Sequence, residues 1–183
     1  MAKHSNSSAA PMAIRTRRSY FDCQFGQLHV RTAFPSSGGF DEQVTLFCLH
    51  PSEGSSRSFD RLLPDMAHDR SVYAPDLPGF GESDPAPSLS WSDAARAVSD
   101  LATDLRLRRI DVLGVGFGAA VALEFAAARP DLVRRLVLAA VPAMDRKPGA
   151  AQETLVLDGS GELLGATPAA PATHIRAFLR GRD

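Results

Sequence analysis

Apolar residues along the chain gather in short continuous runs, and the runs are separated by stretches with helical spacing. Val44-Thr45-Leu46-Phe47-Cys48-Leu49, Ser71-Val72-Tyr73-Ala74, Arg109-Ile110-Asp111-Val112-Leu113 and Leu136-Val137-Leu138 read as strands. A strand with one wet face would alternate apolar and polar positions, so these runs predict burial on both faces. Between them, Phe59 to Ala67 has helical spacing. Ala94, Val98, Leu101 and Leu105 recur at three- and four-residue steps behind Ser90, an N-cap residue with Asp93 three positions later. Ala119 through Arg129 has no helix breaker and stops before Pro130. Nearer the start, Tyr20 to Phe25 and Leu28 to Ala33 flank Gly26-Gln27, which predicts an antiparallel hairpin turning at that pair. Strands alternating with helices of this length predict a mostly parallel sheet covered on both faces.

The third helix is entered through Gly114-Val115-Gly116-Phe117-Gly118. A Gly-x-Ser-x-Gly segment between a strand and a helix is a nucleophile elbow: it exposes a serine hydroxyl at a strained turn beside backbone amides. Here the flanking glycines are present and the central residue is Gly116, which accepts the strained backbone but offers no oxygen or sulfur. Gly114-x-Gly116-x-x-Ala119 also fits a dinucleotide fingerprint, with a pyrophosphate received at the helix N-terminus. That reading asks for an acidic residue about twenty positions on; the first beyond the next strand is Asp145, which comes late.

Upstream, the Val44 to Leu49 run leads into His50-Pro51-Ser52-Glu53-Gly54, and the next strand ends in Asp76-Leu77-Pro78-Gly79-Phe80-Gly81-Glu82-Ser83. In order and content these segments resemble the α/β-hydrolase superfamily, in particular its small esterase and C–C hydrolase-like members. There a strand leads to a His-Gly oxyanion loop, and Asp-x-Pro-Gly-x-Gly-x-Ser follows the next strand. The resemblance implies a three-layer sandwich, a mostly parallel sheet with an N-terminal antiparallel hairpin. It makes Leu132 to Val141 the passage into the sixth strand, and Glu153 to Leu164 with His174 to Arg180 the last strand, the catalytic-histidine loop and the closing helix. At 183 residues the chain is short for such a fold, which implies that the lid and one strand-helix unit, the seventh strand with its triad acid, are missing.

In the last loop the superfamily commonly reads Gly-His-x-x, whereas this chain has Gly161-Glu162-Leu163-Leu164. By resemblance Gly116 stands for the nucleophile, Glu162 for the general base, and Asp145 for an acid after the sixth strand; His174 reads as a solvated helix residue. His50, Ser52, Gly116 and Phe117 form the candidate ligand-binding set. Pro51 takes the place of the usual glycine and carries no amide proton. The joint departures imply a pseudo-hydrolase acting as a binding or partner subunit. The alternatives are a hydrolase with non-standard or partner-supplied residues, and a binder of a small acyl or carboxylate ligand, or a nucleotide, at the vacated elbow.

Composition changes this picture only by exclusion. A net charge of −1 with dispersed arginines gives no basic face for nucleic acid. No apolar stretch reaches the roughly eighteen residues of a membrane span, and the polar start lacks a signal core, so a cytoplasmic protein is expected. Residues 1–18 read as a disordered tail and residues 19–183 as one shortened domain. Cys23 and Cys48 fall in strands as small buried hydrophobes. No His, Cys and carboxylate cluster has metal-ligand spacing, and no cofactor is implied. Surface left open by the missing segments implies a homo- or hetero-oligomer.

Overall fold

A computed structural model describes residues 13–36, 43–88, 90–145, 147–149, 152–159, 161–164 and 169–181. Its seven strands are Arg17–Cys23 (β1), Gly26–Ala33 (β2), Thr45–Leu49 (β3), Val72–Pro75 (β4), Ile110–Val115 (β5), Val133–Ala139 (β6) and Glu153–Leu157 (β7). They form one sheet in the order β1-β2-β4-β3-β5-β6-β7. The β1–β2 and β2–β4 pairings are antiparallel, and every other pairing is parallel.

The apolar runs are continuous because alternate residues of each central strand feed two different cores. Phe47 and Leu49 of β3, Ile110 and Val112 of β5, and Leu136 and Leu138 of β6 face one layer. Leu46, Cys48, Leu113, Val115, Val137 and Ala139 face the other. The first layer is built by the helices Trp91–Asp104 (α2) and Phe117–Ala128 (α3). On the opposite face lie Leu62–Met66 (α1), Gly161–Leu164 (α4) and Ala169–Arg180 (α5). At the start of α2 the Asp93 amide donates to Ser90 Oγ at 3.1 Å, the cap the sequence predicts. Hydrogen bonds from Ser88, Arg96 and Ser90 hold the Asp93 carboxyl at about 2.

Three expectations change in detail. The hairpin turns at Gln24-Phe25, with Cys23 opposite Gly26, so Gly26 opens β2. That glycine serves a close approach: a Cβ there would lie 2.3 Å from Asp84 Oδ2, which accepts the Gln27 amide at 2.8 Å. The stretch from Phe59 to Ala67 is divided into a 3-10 turn, Ser56–Phe59, and the short α1. And β1 begins at Arg17, inside the segment expected as tail; residues 1–12 lie outside the described ones.

The closing unit is held at the N-terminal edge of the sheet by buried charge. Asp111 of β5 accepts from Arg134 Nε at 2.8 Å and Nη2 at 2.6 Å, with Arg70 Nη1 at 3.5 Å. The Leu179 carbonyl at the end of α5 accepts from Arg134 Nη2 at 2.7 Å, and the Gly181 carbonyl from Arg135 Nη1 at 2.6 Å. Cations therefore cap the C-terminus of α5, where its last carbonyls have no partner within the helix.

Candidate functional site

The chain leaves β5 and enters α3 through Gly116, whose φ of 56° and ψ of −118° lie in a region that L side chains rarely adopt. The Gly116 amide donates to the Ala139 carbonyl of β6 at 2.9 Å, which pins the turn to the neighbouring strand. Both flanking glycines are demanded by packing. A Cβ on Gly114 would lie 2.4 Å from the Gly118 carbonyl oxygen, and a Cβ on Gly118 would lie 2.1 Å from the Leu49 carbonyl oxygen. The strained backbone of an elbow is thus fully built around a residue without a side chain.

Pro51 crowds the position that a side chain at 116 would take. A Cβ placed on Gly116 would meet Pro51 Cβ at 3.2 Å. Phe117 and Gly118 carry the first amides of α3, which have no acceptor within the helix. A second donor from residue 51 is missing, because proline has no N–H.

His50 fixes the loop that carries this proline. The Leu77 amide donates to His50 Nε2 at 2.9 Å, so Nε2 is the accepting nitrogen and the proton sits on Nδ1, which donates to the Pro51 carbonyl at 2.8 Å. The ring is fully buried, both nitrogens are engaged, and burial holds its pKa below the ordinary imidazole value. It offers no free nitrogen to a ligand and serves the loop. Ser52 is exposed and donates to Glu53 Oε1 at 2.9 Å. Phe117 is half-buried, with its ring centroid 5.6 Å from that of Phe80, which in turn lies 5.3 Å from the His50 ring. These rings and Pro51 give the elbow an apolar rim.

The Asp76 block is a structural hub. The Asp76 carboxylate accepts from the Ser56 amide at 2.6 Å, the Glu82 amide at 2.9 Å and His29 Nδ1 at 2.9 Å. Burial opposes its ionisation, yet these donors outweigh it and hold the carboxyl below its ordinary value. A Cβ on Gly81, at φ +56°, would lie 2.0 Å from Asp76 Oδ2. Asp76 therefore joins β2, the oxyanion-loop segment and the following turn.

The remaining expected positions are scattered. Asp145 lines a cleft with Trp91, Glu124 and Met144 along the α2–α3 side. Glu162 is the second residue of α4, and its side chain lies outside what the structure describes. His174 is exposed on α5. The strand expected as the last of the fold, β7, pairs directly with β6, from Arg135 opposite Glu153 to Ala139 opposite Leu157. It is therefore seventh in chain order and the neighbour of the sixth. Asp158, the first residue beyond it, reaches the same C-terminal edge of the sheet as the elbow, two strands or about 10 Å across. Its position after a short apolar run was the available signal. Among the described residues no three His, Cys, Asp or Glu gather as metal ligands, and no helix is long and apolar enough to cross a membrane.

Known proteins share this architecture. A pimeloyl-(acyl-carrier protein) methyl ester esterase from Neisseria meningitidis is 33% identical over 140 residues, covering 76% of this chain and 53% of the esterase. The chain thus spans about half the length of that relative. A predicted CIB-like hydrolase from Thermoplasma acidophilum superposes with a TM-score of 0.76 at 15% identity, over 91% of this chain and 99% of that one. A serine-to-glycine mutant of the N-acyl homoserine lactonase AidH, in complex with N-hexanoyl homoserine lactone, superposes with a TM-score of 0.60 at 26% identity. That match covers 69% of this chain and 46% of the lactonase. A sequence profile of the alpha/beta hydrolase family matches residues 46–183, and the chain belongs to that family.

Proposed function

We propose that this chain is a pseudo-hydrolase: a hydrolase-fold protein that works by binding, without nucleophilic hydrolysis at its elbow. The observation that carries the reading is the fit of Pro51 against Gly116, with a Cβ at residue 116 only 3.2 Å from Pro51 Cβ. Glycine at 116 supplies no nucleophile, and Pro51 beside it crowds that position and lacks the N–H of an oxyanion donor. Amides and binding alone supply about 10³–10⁴ over water, far below the 10⁶–10¹⁷ typical of enzymes.

The lactonase comparison favours a small acyl ligand, since a serine-to-glycine mutant of that protein holds N-hexanoyl homoserine lactone. The elbow of this chain has the apolar rim of Phe80, Phe117 and Pro51 for an acyl chain. The test pairs turnover with binding. Purified protein is incubated with p-nitrophenyl esters and separately titrated with acyl homoserine lactones and medium-chain carboxylates in a thermal-shift assay. The expected result is ester cleavage at background and saturable stabilisation that is lost in Gly116→Val. Turnover that co-purifies with the protein and disappears in Asp145→Ala, Asp158→Ala or Glu162→Ala would instead establish a hydrolase with non-standard residues.

A partner-subunit role draws on β7, an edge strand of the sheet, where Val156 is 60% exposed on the face away from α5. Native mass spectrometry tests it, with a complex expected and a strict monomer at micromolar concentration counting against it.

A further inference from the structure

The two edges of the sheet are built differently. β1 carries Arg17, Arg18 and Asp22, and charge on an edge strand deters pairing with another chain. β7, at the opposite edge, reads Glu153-Thr154-Leu155-Val156-Leu157. It contains no proline or lysine, and its one charged side chain is drawn back toward the sheet, where Glu153 accepts from Arg135 Nε of β6 at 2.7 Å. Among the described residues β7 pairs with β6 alone. Leu155 and Leu157 pack into the core on the α5 face. Val156 points to the other face and, at 60%, is the most exposed large hydrophobic residue among those described. An apolar strand therefore ends the sheet without the devices that keep such an edge solitary.

The order of side chains along β7 selects the occupant. A second copy related by a two-fold axis perpendicular to the sheet would pair antiparallel, and residues directly opposite one another must then share a face. Only registers centred on a residue meet that condition. Centring on Thr154 sets Val156 against Gln152 and Leu155 against Glu153, and centring on Leu155 sets Val156 against Thr154 and Leu157 against Glu153. Both oppose apolar to polar groups. Centring on Val156 sets that residue against itself, Leu155 against Leu157, and Thr154 against Asp158. The exposed valine is then covered by its own copy. The Thr154 hydroxyl, which makes a long bond to the Gln152 carbonyl at 3.4 Å, gains a carboxylate acceptor across the pair. We propose that β7 pairs antiparallel with β7 of a second copy about Val156, joining two seven-stranded sheets into one continuous sheet. The inference rests on the partner-subunit reading and names the partner.

Light scattering on the purified chain across micromolar concentrations is expected to show a dimer. Val156→Lys sets two like charges opposite each other at the axis and should leave a monomer, with its circular dichroism spectrum retained because residue 156 is exposed. Disulfide trapping reads the register in a Cys23→Ser background, where the remaining Cys48 is buried. Val156→Cys should give a covalent dimer under mild oxidation, since opposed residues of an antiparallel pair lie within disulfide range. Thr154→Cys should not. Trapping by Thr154→Cys in preference to Val156→Cys would overturn the register, and a dimer untouched by Val156→Lys would overturn the use of β7. A chain that is monomeric alone yet forms a complex with a different protein would overturn self-pairing and leave the partner-subunit reading in place. A chain monomeric in every setting would end both.

Discussion

Replacing Gly116 by alanine adds one methyl group at the point where the elbow and Pro51 meet, and its cost follows from two separate contributions. The backbone at φ 56° and ψ −118° strains any L side chain by roughly 1–3 kcal/mol. The new Cβ also sits 3.2 Å from Pro51 Cβ, so that a ring held by the His50 network must yield by a few tenths of an ångström. Alanine lowers the entropy of the unfolded chain, which returns about 0.4–1 kcal/mol. The balance is a loss of about 2 kcal/mol, or roughly 4–8 °C in melting temperature for a domain of this size. Gly159 separates the two contributions, since it has φ +76° with nothing within 4 Å of a Cβ. Gly159→Ala therefore carries backbone strain without a contact. Urea unfolding of Gly116→Ala, Pro51→Gly, the double variant and Gly159→Ala should show Gly116→Ala as the costlier glycine change. A coupling of about 0.5–1 kcal/mol between residues 116 and 51 is expected, near the low end for residues in contact. Equal costs for the two glycine changes, together with no coupling to Pro51, would refute the claim that proline crowds the nucleophile's position.

Two further outcomes follow from buried groups. Asp111 is fully buried and accepts from Arg134 twice, so Asp111→Ala strands buried guanidinium charge and should cost about 3–5 kcal/mol by thermal unfolding. Arg180→Ala, which loses a pair with Asp69 from a half-exposed position, should cost no more than about 1 kcal/mol; equal losses in the two variants would contradict this ranking. His50 has a pKa lowered by burial, so the unfolded chain binds the proton more readily than the folded one. Its stabilising contribution is present above the ordinary imidazole pKa of about 6.5 and is lost as pH falls through the lower folded value. His50→Gln should flatten the fall in stability from about pH 7 to pH 5, and a variant curve parallel to that of the unsubstituted protein would remove His50 from the acid response.

The parts of this fold legible in the sequence are those in which the chain's own periodicity is the structural cause. Strands buried on both faces carry continuous apolar runs, interrupted only by paired charges such as Asp111 and Arg135 near one end, which is why β3, β5 and β6 announce themselves, and Ser90 with Asp93 marks α2 because capping is local chemistry. The hairpin turns two residues before the Gly26-Gln27 pair because Gly26 answers to Asp84, 58 positions away, rather than to the turn beside it. The division before α1 follows from the same kind of cause: the Ser56 amide is claimed by Asp76 from the next strand. At the site, Gly114, Gly116 and Gly118 were readable as an elbow. The steric role of Pro51 was not, since it depends on the distance between two loops that only the sheet brings together. The place of β7 beside β6 likewise rests on pairing, which a short apolar run does not specify.

An elbow can outlast its chemistry because the residues that shape it have a second occupation. Gly114 and Gly118 are held to glycine by the Gly118 and Leu49 carbonyls, contacts of the β5–α3 crossing and of β3 with α3. Asp76 is held by three elements that meet at its carboxylate, and His50 by two loop backbones. A change at any of these would damage the packed sheet as well as an active site. Gly116 and Pro51 are different: the second only crowds the side-chain position of the first, and no strand or helix depends on a hydroxyl there. Packing constrains the frame through several elements at once, whereas residue 116 is constrained by its own backbone angles and by Pro51. An intact frame around an altered centre is therefore an arrangement that this family's packing permits.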